Sequence, residues 1–364
     1  MLSSSTRRSQ WPRIAAVTVA LVLVLVLLVQ VMASTLPVGA DYYKIYRPVA
    51  ENVINGKTRL YDDHSRGFFN TPWTVILLLP LPALSIRTGQ AVLTLASLVA
   101  LVLSIYLIST TTRRLSAWAV MLALMNLHTL DVIVPGQIDA IILLGITLGY
   151  WAVRRHRPWW LALAFWILSM KPPNVILVAL LYLYAIRHWS RADQGRAVSL
   201  TLGSLLLSFL VLGADWPLRY RDNYRAEAPI ETLAITIWRG AAKLGLPQAP
   251  LIILAVGCTL AFVWLVLRVG INEWTLSIAL ATNLLFAPYV TGSHYVYLVP
   301  AFLYVTRAKP GLTLPIYLLT LTPLLRLQWG YGAAPVGIVY PLALLIAAWW
   351  LALRLRQTAP PTPA

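Results

Sequence analysis

Long apolar runs separated by short polar or basic clusters dominate the chain, and each run reads as a helix crossing a membrane. Runs near 14–35, 89–110, 117–134, 139–153, 159–171, 173–187, 197–213, 250–268, 274–291, 295–306, 312–325 and 336–353 predict about twelve spans. The stretch 159–187 is a single apolar run interrupted by Lys171-Pro172-Pro173, where missing amide donors and ring clashes divide a helix in two. The run from Ile14 to Met32 follows Arg7, Arg8 and Arg13. It exceeds the roughly 7–15-residue core of a signal peptide and is read as an uncleaved anchor. Between Val75 and Arg87 a 13-residue apolar run carries Pro80 and Pro82; it is too short to cross comfortably and predicts a juxtamembrane or re-entrant hairpin.

Composition agrees with this pattern. Of 364 residues, 59% are hydrophobic and 11% charged, against roughly 45–50% and about 25% in an average soluble protein. The net charge of +17 would point to nucleic acid in a soluble domain, but topology accounts for most of it, and no nucleic-acid partner is expected. A lone cysteine, Cys258, excludes an intrachain disulfide and a thiolate metal cluster, and the five histidines show no ligand spacing; neither a metal nor another cofactor is expected.

The positive-inside rule orients the spans. With both termini cytoplasmic, the inner loops and flanks collect 16 Lys and Arg, among them Arg113, Arg154, Arg155, Arg157, Arg187, Arg191, Arg196 and Arg307, against only Asp193 and Glu273. The other ten carboxylates fall outside. The expected organisation is an all-α polytopic membrane domain over 14–353, with cytoplasmic tails at 1–13 and at the Pro-rich 354–364, in a plasma membrane. Two outer loops are long, 36–88 and 214–249, and the chemistry is expected there.

The first loop opens on Asp41, directly after the first span. Tyr42, Tyr46, Val49 and Val53 follow at helical spacing, predicting an amphipathic surface helix that Pro48 kinks or splits and Gly56 stops. Asp41 is either the helix N-cap or a reactive carboxylate at the bilayer surface, two roles compatible only if one oxygen stays free. Asp131 and Asp139 flank Pro135-Gly136-Gln137 at another outer turn, which is either a solvated bend or a site, since ionisable groups at this depth are costly. Lys171 is either a snorkelling side chain or a point charge for a phosphate. His294, between two late spans, either packs or donates to a phosphate oxygen. In the second loop Arg219 and Arg221 alternate with Trp216, Tyr220 and Tyr224, which suits phosphate and sugar contacts and equally an interfacial aromatic belt.

Taken together, these residues resemble the polyprenyl-phosphate-sugar-dependent transferases of the GT-C fold, specifically glycosyltransferase family 87, which includes polyprenyl-phosphate-mannose mannosyltransferases. The resemblance runs through Asp41, Tyr42-Tyr43, Gly56, Tyr61, Phe69, Pro72, the Leu79-Pro80-Leu81-Pro82 hairpin, Gly136-Gln137, the basic loop 154–157, Lys171-Pro172 and the late Pro288 with His294-Tyr295. It departs from the family pattern at Asn70-Thr71-Pro72, where Tyr-Pro-Pro is usual, at Asp139, where Asn is common, and at Pro48.

The resemblance implies a GT-C-like bundle and transfer of a hexose, mannose first, from a polyprenyl-phosphate donor to a glycolipid or glycan acceptor on the extracytoplasmic side. It implies Asp41 as general base. Lys171, His294, Arg219 and Arg221 would then bind the donor phosphate, and Gln137, Asp139, Asp131, Tyr42 and Tyr43 the sugar or acceptor. An inverting glycosidase needs a second carboxyl to protonate its leaving group; a lipid phosphate leaves as a stable anion and needs cations instead. The alternatives are a transporter or lipid flippase, disfavoured by the absence of repeated halves, and a non-catalytic scaffold.

Overall fold

The structure is a computed structural model that describes residues 11–57, 60–61, 67–112, 115–226, 235–325 and 336–358. Among the described residues every regular element is helical. The order begins with α1 (Trp11–Thr35), a π-helical turn (Tyr42–Tyr46), α2 (Arg47–Ile54) and α3 (Ile86–Thr111). It continues with α4 (Ala117–Leu124), α5 (Leu127–Ile133), α6 (Asp139–Arg154), α7 (Pro158–Leu168), α8 (Ile176–Ala185), α9 (Arg191–Leu212) and α10 (Trp216–Ala226). The last elements are α11 (Ile237–Lys243), α12 (Gln248–Val269), α13 (Glu273–Phe286), a 3-10 helix (Gly292–Leu298), α14 (Val299–Ala308), α15 (Thr313–Leu319) and α16 (Val339–Thr358).

Among the described residues five helices are long and apolar enough to cross a membrane: four lie at α1, α3, α9 and α12, and the fifth, Val336–Arg354, overlaps α16. The faces of α1, α9 and α12 are largely uncovered by protein, as lipid-facing surfaces are; Leu210 and Ile253 are examples. The other predicted runs fold as shorter helices, several of them interrupted. The run 117–134 is two helices, because α4 ends at Leu124 and Asn126 caps α5 through its side chain. The segment after Thr74 is a hairpin of one helical turn (Val75–Leu78) and a 3-10 turn (Leu81–Ala83), with Pro80 and Pro82 at its bend.

The first-loop helix divides at Pro48, which sits in the first turn of α2, where a missing N–H is harmless. Tyr42, Tyr46 and Val49 are buried, as their spacing predicts, and α2 ends at Asn55-Gly56 with Gly56 at φ +75°. Arg47 ties this helix to the hairpin. Its guanidinium donates to Glu51 at 2.6 Å and to the carbonyls of Leu84 and Pro82 at 2.9 and 3.2 Å.

Polar side chains gather at one end of the central helices and basic loops at the other. α6 begins at Asp139 and ends at Arg154, a rise of about 24 Å at 1.5 Å per residue. At the basic end His156 lies 3.5 Å from Asp193, which also binds Arg196 at 2.8 Å, so the 154–157 and 186–196 loops meet. Glu273 and Arg307 pair across the starts and ends of α13 and α14.

Candidate active site

The site forms where three loops touch. The backbone before Asp41 crosses the 134–137 turn so closely that a Cβ on Gly39 would strike the Pro135 carbonyl, and one on Gly136 would lie 2.8 Å from Tyr42 Cβ. Gly136 also has φ +78°, a region open to glycine at little cost. Both glycines are therefore fixed by geometry. Replacing Gly136 with Val is expected to lower thermal stability by on the order of 2 kcal/mol from backbone strain and to reduce activity, because it pushes Tyr42, and Asp41 with it, off the turn; unfolding in detergent would measure the first effect.

The crossing settles the N-cap question. The amides of Asp41 and Tyr42 both donate to the Pro135 carbonyl at 3.1 and 3.0 Å, and the Tyr43 amide to Gly39 at 2.9 Å. The Asp41 side chain makes no capping bond. One oxygen, Oδ2, accepts instead from Gln137 Nε2. Burial pushes the Asp41 carboxyl above the ordinary 3.8, while the Gln137 bond and the Lys171 charge pull it back.

Gln137 joins three side chains, those of Asp41, Tyr46 and Lys171. Its Oε1 accepts from Tyr46 Oη at 2.7 Å and Lys171 Nζ at 3.3 Å. An ammonium group is donor-only, so the amide oxygen faces Lys171 and the NH2 faces Asp41. Lys171 donates in turn to Asp139 Oδ1 at 2.8 Å, and Tyr297 Oη donates to the same oxygen. Asp139 is 0% exposed and Lys171 7%. Asp41 and Lys171 thus share one bridging side chain at one end of the bundle.

The helix break that presents Lys171 is satisfied from neighbouring elements, as irregular backbone in a membrane must be. Thr71 donates its amide to the Met170 carbonyl at 3.0 Å and its hydroxyl to Ser169 at 2.9 Å, and Trp73 Nε1 reaches Ser169 Oγ at 3.0 Å. From α13, Asn283 donates to the Pro173 carbonyl and accepts from the Leu177 amide, each at 3.0 Å, while Asn174 donates to the Tyr289 carbonyl at 3.1 Å.

His294 is buried in the 3-10 helix beside the network. Its Nδ1 accepts from the Thr291 amide at 3.0 Å, which leaves the ring proton on Nε2. Its ring stands edge-on to Tyr289 and Tyr297, and Phe69 adjoins Tyr289 at 5.8 Å between centroids, so an aromatic wall runs from the first loop to Tyr297. Asp131 on α5 lies against Gly292, where an added Cβ would strike its carboxylate.

Several sequence assignments change place. Arg219 is taken up by the Leu212 carbonyl at 2.6 Å and Asp215 at 3.0 Å, and Arg221 pairs with Asp222 at 2.9 Å; neither bonds the network. Their loop acts through Tyr220 and Asn223, which donate to the Phe69 and Phe68 carbonyls and hold the first loop down. Tyr42 is fully buried under Gly136 and has no face for a sugar, whereas Tyr43 points outward. Asp139 is enclosed as the counter-ion of Lys171, not open to a hydroxyl. Tyr46, read in the sequence only as part of an amphipathic face, joins the site through Gln137, and Tyr297, Asn174 and Asn283 join it without having been singled out. The one signal they gave was polarity inside apolar helices or next to the Lys171 break. Among the described residues no three His, Cys, Asp or Glu side chains converge as metal ligands.

The described residues thus form an all-helical membrane protein with a carboxylate, a buried lysine and an amide bridge together at one end of its bundle. The sequence pattern of glycosyltransferase family 87 matches residues 68–292, more than half of the chain, and the chain belongs to that family. It is a membrane glycosyltransferase. The matched segment holds Gln137, Asp139 and Lys171; Asp41 and His294 lie outside it and reach the site through the fold. Among curated proteins and solved structures nothing matches.

Proposed function

We propose that this enzyme is a GT-C-type transferase of about twelve spans that moves a hexose, mannose first, from a polyprenyl-phosphate donor to a glycolipid or glycan acceptor. The reaction takes place at the extracytoplasmic face of the plasma membrane and inverts the anomeric carbon. The observation that carries this reading is the pairing of a half-free carboxylate with a buried cation through Gln137. Among the described residues the only hydrogen bond to the Asp41 carboxylate falls on Oδ2, which leaves the second oxygen available as a base. It takes the acceptor hydroxyl's proton as that oxygen attacks the anomeric carbon. The bond from that carbon to the phosphate oxygen breaks, and the lipid phosphate keeps the electron pair. The third N–H of Lys171 and the Nε2–H of His294 stabilise the departing charge. Sidedness follows from the helix ends, since the basic loops lie opposite the network and belong in the cytoplasm.

The test offers purified protein labelled polyprenyl-phosphate-mannose or nucleotide-linked mannose with a panel of lipid and glycan acceptors. Transfer from the lipid donor alone is expected; transfer from the nucleotide sugar, or movement of the lipid between leaflets without transfer, overturns the reading. The same assay gives a pH result. A base must be deprotonated, so activity falls as pH drops through the Asp41 pKa, which lies above 3.8. Gln137→Ala removes a bond that lowers that pKa, and the acid limb of kcat/KM is expected to move to higher pH. An unmoved limb would mean that Gln137 does not hold the base.

A further inference from the structure

Far from the active site, a cleft of about 480 Å³ opens between the end of α8 and the start of α9, lined by Leu183, Ile186, Val198, Gly195, Gln194, Arg187 and Arg191. Its inner wall is apolar and its rim carries two guanidinium groups. We propose that this cleft binds an anionic glycerophospholipid of the cytoplasmic leaflet, its phosphodiester on Arg187 and Arg191 and one acyl chain along Leu183 and Val198.

The charges in this corner are unevenly used. Asp193, the acid of the loop, is taken by Arg196 and faces His156. Arg187 rests on the Tyr184 ring with its guanidinium carbon 3.4 Å from the centroid and gives one N–H to the Tyr184 carbonyl, and Arg191 gives one to Gln194 at 3.2 Å. Among the described residues neither has a carboxylate within 4.0 Å. Most donors of both forks are left over, and forks of this shape match phosphate oxygens.

The floor of the cleft makes no competing demand. The Gln194 amide donates to the carbonyls of Ile186, Arg187 and Trp189 at 3.0, 3.1 and 3.1 Å, closing the end of α8. Polar groups that would otherwise call for water are thereby satisfied, and the cavity offers apolar wall plus uncommitted cations. Basic pockets between membrane helices on the cytoplasmic side suit anionic head groups. A free phosphate would use the rim and leave the wall uncovered, whereas a phospholipid uses both.

The test places the full chain in phosphatidylcholine nanodiscs with a minor fraction of phosphatidylglycerol and reads the retained lipid by native mass spectrometry. Wild type is expected to retain phosphatidylglycerol selectively. Arg187→Ala with Arg191→Ala should weaken retention roughly thirtyfold, the effect of about two basic side chains near an anionic head group. Gly195→Trp fills the slot while keeping both arginines, and it too should abolish selectivity; a Cβ there meets nothing within 4 Å, so the fold should tolerate it. Arg154→Ala with Arg155→Ala removes equal charge from the same face outside the cleft and should change nothing. Equal retention of both lipids, an equal loss in the Arg154 and Arg155 pair, or displacement by inorganic phosphate overturns the proposal.

Discussion

Lys171→Met is expected to destabilise the protein by about 3–5 kcal/mol, the cost of leaving a buried carboxylate without its cation. Asp139 is fully enclosed, and its hydrogen-bonded oxygen is held by Lys171 and Tyr297 together; with the ammonium gone, the phenol alone faces a desolvated charge. The diagnostic variant is the double change Lys171→Met with Asp139→Asn. It removes both charges, keeps an acceptor for Tyr297, and should recover most of the lost stability, since a buried pair replaced as a whole is often close to neutral. Activity should stay down by about 10²–10³-fold, because a cation aimed at the departing phosphate is worth that much. Thermal unfolding in detergent and transfer rates on the same samples separate the two roles. A double variant that stays as unstable as the single one would mean that Lys171 supports the fold through something other than Asp139.

Much of this architecture is legible in the chain because membrane helices are written in long apolar runs. The limits of α1, α3 and α12 fall within a few residues of the expected ones, and Gly56, Pro48 and Lys171-Pro172 mark real stops and breaks. Membership of the family was readable from the order of such features. The bridging of Asp41 to Lys171 was not, because it depends on Gln137 standing where three distant loops meet, and a lone glutamine after a Pro-Gly bend carries no mark of its partners. Tyr297 was hidden for a related reason: a tyrosine in an apolar run looks the same whether its hydroxyl meets lipid, water or a carboxylate.

Arg219 and Arg221 teach the opposite lesson. Asp215 and Arg219 stand four residues apart, the spacing of a local ion pair on a helix, and the structure forms that pair. The spacing carried that pairing, whereas the alternation of Arg with aromatic residues suited a ligand and an interfacial belt equally. Thr71 shows a departure from the family pattern with a structural use. A proline there would lack the amide that Thr71 gives to Met170, and its hydroxyl adds a second bond to the break that presents Lys171.

Asp41→Asn bears on the central assignment. Asparagine has the same shape and keeps an oxygen for the Gln137 amide, so the loop crossing at Gly39 and Gly136 and the network through Lys171 should persist, and the variant should unfold with wild type. Removing a general base costs about 10²–10⁴-fold in rate, among the largest effects of any single substitution proposed for this enzyme. The decisive measurement is the single-turnover rate of mannosyl transfer from polyprenyl-phosphate-mannose by wild type and by folded Asp41→Asn at one pH, with acceptor saturating. A fall of at least about a hundredfold with unchanged unfolding is the predicted result; transfer at the wild-type rate by a normally folded Asp41→Asn variant would contradict the assignment of Asp41 as the base.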